Sequence, residues 1–532
     1  MKRHRSPPIF CLSVGALALL ASCSGRVPGA APVAVADAGP EPCPRAPPAL
    51  GVVDASVDEG TAQRWVEHRR AVEEERVLEE LSPQVVRDSL RLEQRHFELG
   101  CVNLDGAVDV GRALFQRTFT RAEGFGHGLG AEPSRLRRLQ EGHFGGPDAL
   151  SCQSCHWKGG SAGGGDRADN AYLLGDGDDV EAADVRNPPA LWGAGWVEIA
   201  AQEMSAQLQE QAEGVRQLAI FQGSAVTRPL AAKGVSFGVA TATPDGAGGA
   251  ALDLNGVIGV DKDLVVKPFG WKGTFTTLRE FIGDSLQLHL GLQAEELVAG
   301  AVRERLDLGG SGEDPDADGV TREITQGQLT ALVLYIATLD IPPLAALDEG
   351  PYRELVLFSN ELEIVRSPEF TARWIDGFSR FGRLGCATCH LPFVRVDSAR
   401  YQTSAPLSGT SVSVDLATDG ARPGPDRDDE GRFLIPAFSD FKRHDMGPLL
   451  AGRHVEGGVP TTTWLTRRLW GAAQTSPYLH TGTAMTFDEA IAMHGGEAAQ
   501  AATSYRLLNE DERTSIRLFL ASLARAPSIR IR

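Results

Sequence analysis

Beyond its N-terminus, this 532-residue chain has no stretch of 18 apolar residues in succession. That excludes a membrane-spanning helix in the body and predicts a soluble one. It has no surplus of positive charge either. Lys and Arg number 52 against 70 Asp and Glu, a formal net charge of −18, so nucleic acid is not expected as a partner. Cysteine is scarce, eight in all, so each can be traced.

Four of the eight lie in two Cys-x-x-Cys-His pentapeptides, Cys152-Gln-Ser-Cys155-His156 and Cys386-Ala-Thr-Cys389-His390. Two thiols one turn apart, followed at once by His, form the attachment signature of c-type heme. The thiols become thioethers on the porphyrin and the His reaches the iron as its proximal ligand. A zinc or redox CxxC with an accidental His is the competing reading. Finding the same pentapeptide twice favours two covalent hemes, and therefore electron transfer or redox catalysis.

The N-terminus agrees with heme attachment outside the cytoplasm. Lys2, Arg3 and Arg5 precede an apolar run, Ile9 to Leu20, that is too short to span a bilayer comfortably. The run ends in Leu20-Ala21-Ser22-Cys23, which looks like a bacterial lipobox. Residues 1–22 are expected to be a lipoprotein signal and Cys23 the acylated residue. The protein is then exported and held on the periplasmic side of a cell envelope by a lipid anchor. An ordinary secretory signal cleaved nearby is the alternative. Signal removal takes three cations and leaves a formal charge of about −21. Such an acidic body suits steering of a basic electron carrier, and equally plain solubility. A disulfide between Cys43 and Cys101 is left open.

Residues 23–50, rich in Ala, Pro and Gly, read as a flexible tether, and 51–100 as a charged helical lead-in. An internal repeat follows. Ile324 to Leu339 and Leu508 to Leu523 are amphipathic and predict helices, with N-caps at Thr325 and Asn509 and an aromatic (Tyr335, Phe519) four residues before the final Leu. Upstream of each heme motif stands a matching helix segment, Gly111-Arg-Ala-Leu-Phe115 and Gly377-Phe-Ser-Arg-Phe381. The expected fold is mainly α, with two tandem cytochrome c-like domains at 101–340 and 341–532. A β-hairpin near 235–267 is expected in the first, from Val235–Thr241 and Ala250–Val257 flanking Pro244-Asp245-Gly246.

Several blocks resemble the di-heme oxidoreductases, a family of peroxidase type also called thiol oxidoreductase-like. They are Arg186-Asn-Pro-Pro-Ala-Leu-Trp-Gly-Ala-Gly-Trp-Val-Glu198, Phe269-Gly-Trp-Lys272, His444-Asp-Met-Gly-Pro448, Pro477-Tyr-Leu-His480 and Phe487-Asp-Glu-Ala-Ile-Ala-Met-His494-Gly-Gly-Glu. More distantly the chain is similar to bacterial di-heme cytochrome c peroxidases. The resemblance implies one electron-storing heme and one that meets peroxide.

It also implies that the C-terminal heme takes its far-side ligand from a helix shortly after the Pro-Tyr-x-His block. Relatives carry Met there, and here the position falls on His494. Phe487, Ile491 and His494 share one helical face, while the adjacent Met493 points roughly 100° away. Met446 is the rival ligand. For the first heme, His127, His143 and His289 lie in the right region but in no diagnostic block. An open sixth position there suits a substrate-facing heme. Glu198 is the candidate proton shuttle. Trp192, Trp196 and Trp470 are candidate relays, or simply core.

Asp314-Pro-Asp316-Ala-Asp318-Gly319 begins like an EF-hand loop but lacks the bidentate Glu at position twelve. Glu323 is the nearest substitute for it, and a plain acidic turn is the competing reading. Related di-heme peroxidases hold calcium between domains. The leading expectation is thus a lipid-anchored, peroxidase-like di-heme oxidoreductase. Its partners would be a small redox donor protein of cytochrome c or cupredoxin type, and peroxide or another small oxidant. The alternative is a non-catalytic periplasmic electron-transfer cytochrome.

Overall fold

The computed structural model describes residues 90–126, 148–173, 183–299, 314, 318–341, 368–421 and 424–525. The signal, Cys23, the tether and most of the helical lead-in lie outside these residues, as do Cys43, His127, His143 and Asp316. Every described residue falls within one compact unit, Cys43–Arg532.

The repeat read from the sequence is built as two helix pairs. The first pair is α1 (Leu104–Gln116), capped by Asn103, and a longer-range partner at Gln326–Ala337. Between them in sequence come β1 (Ala171–Leu173), β2 (Asp184–Arg186), α2 (Ala194–Gln222), β3 (Val226–Ala232), β4 (Val235–Pro244), β5 (Ala250–Asp253) and α3 (Leu278–Leu290). The partner helix Gln326–Ala337 is α4. The second pair is α5 (Pro368–Arg383) with α7 (Glu510–Ser522), and α6 (Phe487–Ala492) lies between them in sequence. Both predicted caps hold. Thr325 and Asn509 each accept the amide of the third helical residue in a capping box, which satisfies backbone donors that the helix start leaves unpaired.

Glycine lets each pair close. A Cβ at Gly111 would overlap the Ala331 carbonyl of α4, and one at Gly377 would overlap the Ser515 carbonyl of α7. The aromatics then meet in matching geometry. Phe115 and Tyr335 lie 5.4 Å apart with planes at 58°, and Phe381 and Phe519 lie 5.2 Å apart at 59°.

The β content exceeds one inserted hairpin, so the architecture is mixed helix and strand rather than mainly α. The hairpin itself forms, with β4 and β5 antiparallel and Thr241 opposite Asp253, but β3 joins it to make three strands. The second half adds β6 (Val394–Val396), β7 (Arg400–Ala405), β8 (Thr410–Asp415), β9 (Phe433–Ile435), β10 (Arg443–Asp445) and β11 (Thr463–Leu465), paired β6–β9, β7–β8 and β10–β11. β7 alternates exposed and buried residues along its length, as a strand of a half-covered sheet does.

The cores do not divide at residue 341 as two independent domains would. Val394, Tyr401, Val414 and Ile435 of the second half pack in the same cluster as Trp196, Phe237 and Leu332 of the first. A smaller cluster around Trp374, Phe438 and Phe519 belongs to the second helix pair. The fully buried Lys272 donates to the carbonyls of Pro460, Thr461 and Thr463, stitching the halves together. Cys101 is disulfide-bonded.

Candidate functional site

Each CxxCH is a single helical turn, fixed locally. Ser151 caps the first turn by accepting the Ser154 amide, and His156 N–H reaches Cys152 O at 3.0 Å. The second starts from Gly385 at φ +89°, and His390 N–H reaches Cys386 O at 2.9 Å. All four thiols are outside disulfides. Burial, with help from Cys155, pushes the Cys152 thiol up to about 12, and burial first of all pushes Cys386 up to about 11.

The two histidines are held alike. His156 Nδ1 lies 3.0 Å from Pro189 O and 3.2 Å from Gly163 O, and His390 Nδ1 lies 3.0 Å from Phe438 O. A ring that donates from Nδ1 to a carbonyl keeps Nε2 as a lone-pair donor, the usual second-shell arrangement of a metal-binding His. Burial, in the second case joined by His494, takes both rings down to about 4, so both are neutral at ordinary pH. A phenylalanine flanks each at the same distance, with Phe115 and Phe381 both 6.3 Å from their histidine.

Beyond His390 opens a cavity of 880 Å³, within the range of sites that enclose a small cofactor. Phe487, Ile491 and His494 line it, and Met493 does not, which is the helical phase expected of α6. The His494 ring centre is 6.5 Å from that of His390, and its Nδ1 is tied to Ala490 O at 2.8 Å. Two metal–imidazole bonds of about 2 Å each, plus two ring radii of roughly 1 Å, sum to a little over 6 Å. The spacing therefore fits one iron held between the two rings. Met446 lines the same cavity.

On the first site the nearby imidazole is His289, close enough to His156 to lower its basicity further. The His289 Nδ1 lies 3.0 Å from the Asp148 carboxylate, which leaves Nε2 as a lone-pair donor, the same kind of tie that Ala490 O gives His494.

Glu198 is 1 % exposed, and its carboxylate accepts from Leu278 N–H at 2.8 Å, Tyr401 O–H at 3.1 Å and Gln202 Nε2 at 3.2 Å. These partners belong to α3, β7 and α2, and none to a CxxCH loop. Burial pushes this carboxyl up to about 7 against its hydrogen bonds. The geometry gives it the job of capping α3 and pinning β7.

Trp192 packs against Gly159, just after the first heme motif, and against Gly471, whose neighbour Trp470 lines the cavity. Trp196 instead packs against Phe433, 4.9 Å away at a tilt of 51°, within the core. The acidic turn closes on itself, with Asp314 accepting the amides of Asp318 and Gly319 at 3.2 and 3.0 Å. Glu323 is spent on the Gln293 amide at 2.7 Å.

Two features escaped the sequence reading. His444, quoted only within a family-like block, has Nε2 2.8 Å from Asp440 and Nδ1 2.8 Å from Glu497. Burial opposes its charge, but Asp440, Cys389 and Glu497 outweigh it and raise the ring to about 11. Cys389, Asp440 and His444 could be taken for a metal cluster. With both ring nitrogens spent on carboxylates, however, His444 has no lone pair to give. The second feature is a pair of consecutive arginines, Arg467 and Arg468, on the cavity wall.

Comparison with known proteins agrees with the resemblance seen in the sequence. Residues 352–523 match the family described as "Di-haem oxidoreductase, putative peroxidase". No curated protein matches the chain. Among solved structures, the hydrazine synthase of Kuenenia stuttgartiensis, determined under 20 bar xenon, aligns at 18% identity over 42% of this chain with a TM-score of 0.21. The alignment spans 64% of that chain, a little under two thirds of its length.

Proposed function

We propose that the protein is an exported, lipid-anchored di-heme c-type oxidoreductase of peroxidase type, with one heme attached at each CxxCH. The observation that carries this reading is the duplicated frame. A glycine-closed helix pair, a phenylalanine at 6.3 Å and a carbonyl-held histidine occur at both motifs. The matched family supplies the coarse part, a di-heme oxidoreductase with peroxidase in its description. The frame supports the finer part, two cytochrome c-like halves.

The assignment of roles follows from what faces each histidine. Cys386 and Cys389 would anchor the second heme, and His390 and His494 would be the residues that hold its iron. Cys152, Cys155 and His156 hold the first. When bound, the group supplies a one-electron couple where both faces are taken, and a binding position for a small oxidant where one is open. Phe438 O and Ala490 O fix both rings of the second site, so that site stores and passes electrons. Trp470 and Trp192, buried between the second cavity and the first motif, shorten the path between the sites. An acidic body favours a basic donor protein of cytochrome c or cupredoxin type.

The test is intact mass after expression with a cytochrome maturation system, followed by steady-state assay with hydrogen peroxide and a reduced donor. Two porphyrin additions and turnover after half-reduction are expected. Two additions without turnover would leave the electron carrier as the better reading, and a mass without them would end both.

A further inference from the structure

The cavity beside His390 holds more positive charge than an enclosed site keeps without a counterion. Arg467 and Arg468 both line it, and neither meets a carboxylate among the described residues. Each has one backbone acceptor. Arg467 Nη1 donates to Gly270 O at 3.2 Å and Arg468 Nη2 to Ala190 O at 3.0 Å. Each guanidinium also rests on an indole, Arg467 at 4.7 Å from the Trp271 centre and Arg468 at 5.4 Å from that of Trp470. A guanidinium has five N–H donors, so most of theirs remain unspent.

The wall carboxylates cannot serve as counterions, because Asp440 and Glu497 are both spent on His444. The remaining cations on the wall point elsewhere. Lys442 lies across Gly259 with its ammonium 6.0 Å from the Phe237 ring, and Arg383 is largely exposed, near Asp376. Burial costs both arginines part of their basicity, Arg467 to about 10 and Arg468, with Arg467 beside it, to about 9. Two part-buried guanidiniums, each resting on its own indole, offer a cradle for two anionic groups.

We propose that Arg467 and Arg468 bind the two propionate carboxylates of the heme held by Cys386, Cys389 and His390, and that this contact raises its reduction potential. The proposal rests on reading the second CxxCH as heme-bearing. Guanidinium forks match carboxylates in geometry as well as charge, and two cations meet two anions. A nearby cation favours the reduced iron, which carries one positive charge fewer. The anchoring carbonyls come from the first half of the chain. Ala190 O, which orients Arg468, follows directly on Pro189 O, which holds His156. One dipeptide therefore positions the first proximal ring and half of the second site's cradle.

The experiment compares Arg467→Met and Arg468→Met with Arg467→Lys and Arg468→Lys in the full-length, heme-loaded protein. Intact mass is measured first, then the midpoint of each heme by spectroelectrochemistry. The Met variants are expected to keep both hemes and to lower the second midpoint by tenfold or more in the reduction equilibrium, 59 mV for one electron. The first midpoint should move less, and the Lys variants should recover most of the loss. A second-heme midpoint unmoved in both Met variants would overturn the proposal, as would equal shifts at both hemes, the mark of a general disturbance. If Met blocks heme attachment at 386–390 while Lys permits it, the charge requirement is upheld; if both block it, the proposal fails. Wild-type protein without a porphyrin at that motif would instead refute the heme reading itself, before any variant is compared.

Discussion

Around His156, the elements are Gly111 against α4, Phe115, and the carbonyls of Gly163 and Pro189; around His390 they are Gly377 against α7, Phe381, and the carbonyl of Phe438. Up to this point the two regions are built to one plan. They part on the far side. His494, just past the end of α6, has its ring centre 6.5 Å from that of His390 and its Nδ1 on a backbone carbonyl, while His289, the imidazole that acts on His156, holds its Nδ1 on the Asp148 carboxylate. On the proposed reading a shared frame carries two different duties, because the far-side ligand, not the attachment motif, decides whether an iron is closed or available.

The strongest way to break the contrast is to make the second site resemble the first. His494→Gly should open the second iron, turning a low-spin heme into one that binds cyanide or added imidazole. Its midpoint should move by a sizeable part of the about 0.8 V range that axial ligands span. Absorption and EPR spectra read both effects.

Next in size are the two helix contacts. Gly111→Ala and Gly377→Ala each drive a Cβ into a backbone carbonyl, which cannot swing aside. Each should cost about 3 kcal/mol in thermal unfolding, at the upper end for overpacking. That outweighs the ~1 kcal/mol that Ala gains in helix propensity. If the frames are equivalent, the two losses agree, and each disturbs the spectrum of its own heme more than that of the other.

The seam between the regions comes third. Glu198→Ala leaves the Leu278 amide and Tyr401 hydroxyl unpaired and should cost about 1–3 kcal/mol. The carboxyl is raised to about 7, so the folded state holds a proton that the unfolded state releases in the ordinary carboxylate range. Stability is therefore expected to fall as pH rises from about 4.5 through about 7, and Glu198→Gln should flatten that slope. Melting curves across that window check the sign.

The caps give the smallest effect. Thr325, 1 % exposed, also donates to Leu92 O, whereas the Asn509 cap stands in solvent. Thr325→Ala should therefore cost about 1–2 kcal/mol and Asn509→Ala about half that.

The frame was legible because it is written locally. CxxCH spacing, capping residues and the 3.6-residue apolar stripe all act within a few turns, and helical phase, added to the family resemblance, separates His494 from Met493, although α6 itself ends at Ala492. The hairpin of β7 and β8 had a signal that went unread, since Tyr401, Thr403 and Ala405 alternate inward before the Ser408-Gly409 turn. Glu198 was singled out from a family-like block. Two of its three partners come from a helix start and a strand 80 and 203 residues away, which no local pattern encodes. The same holds for Arg467 and Arg468. An arginine pair reads as surface until a fold encloses it, and the enclosing carbonyls lie nearly 200 and 280 residues upstream.

The unequal duty of the two irons is tested most directly by the spin state of each heme in the half-reduced protein, read by EPR and Mössbauer spectroscopy. The account predicts one low-spin heme with two imidazole ligands, assigned to His390 and His494 by its loss in His494→Gly, and one high-spin heme that takes up cyanide or peroxide. Two low-spin hemes inert to both ligands would contradict it.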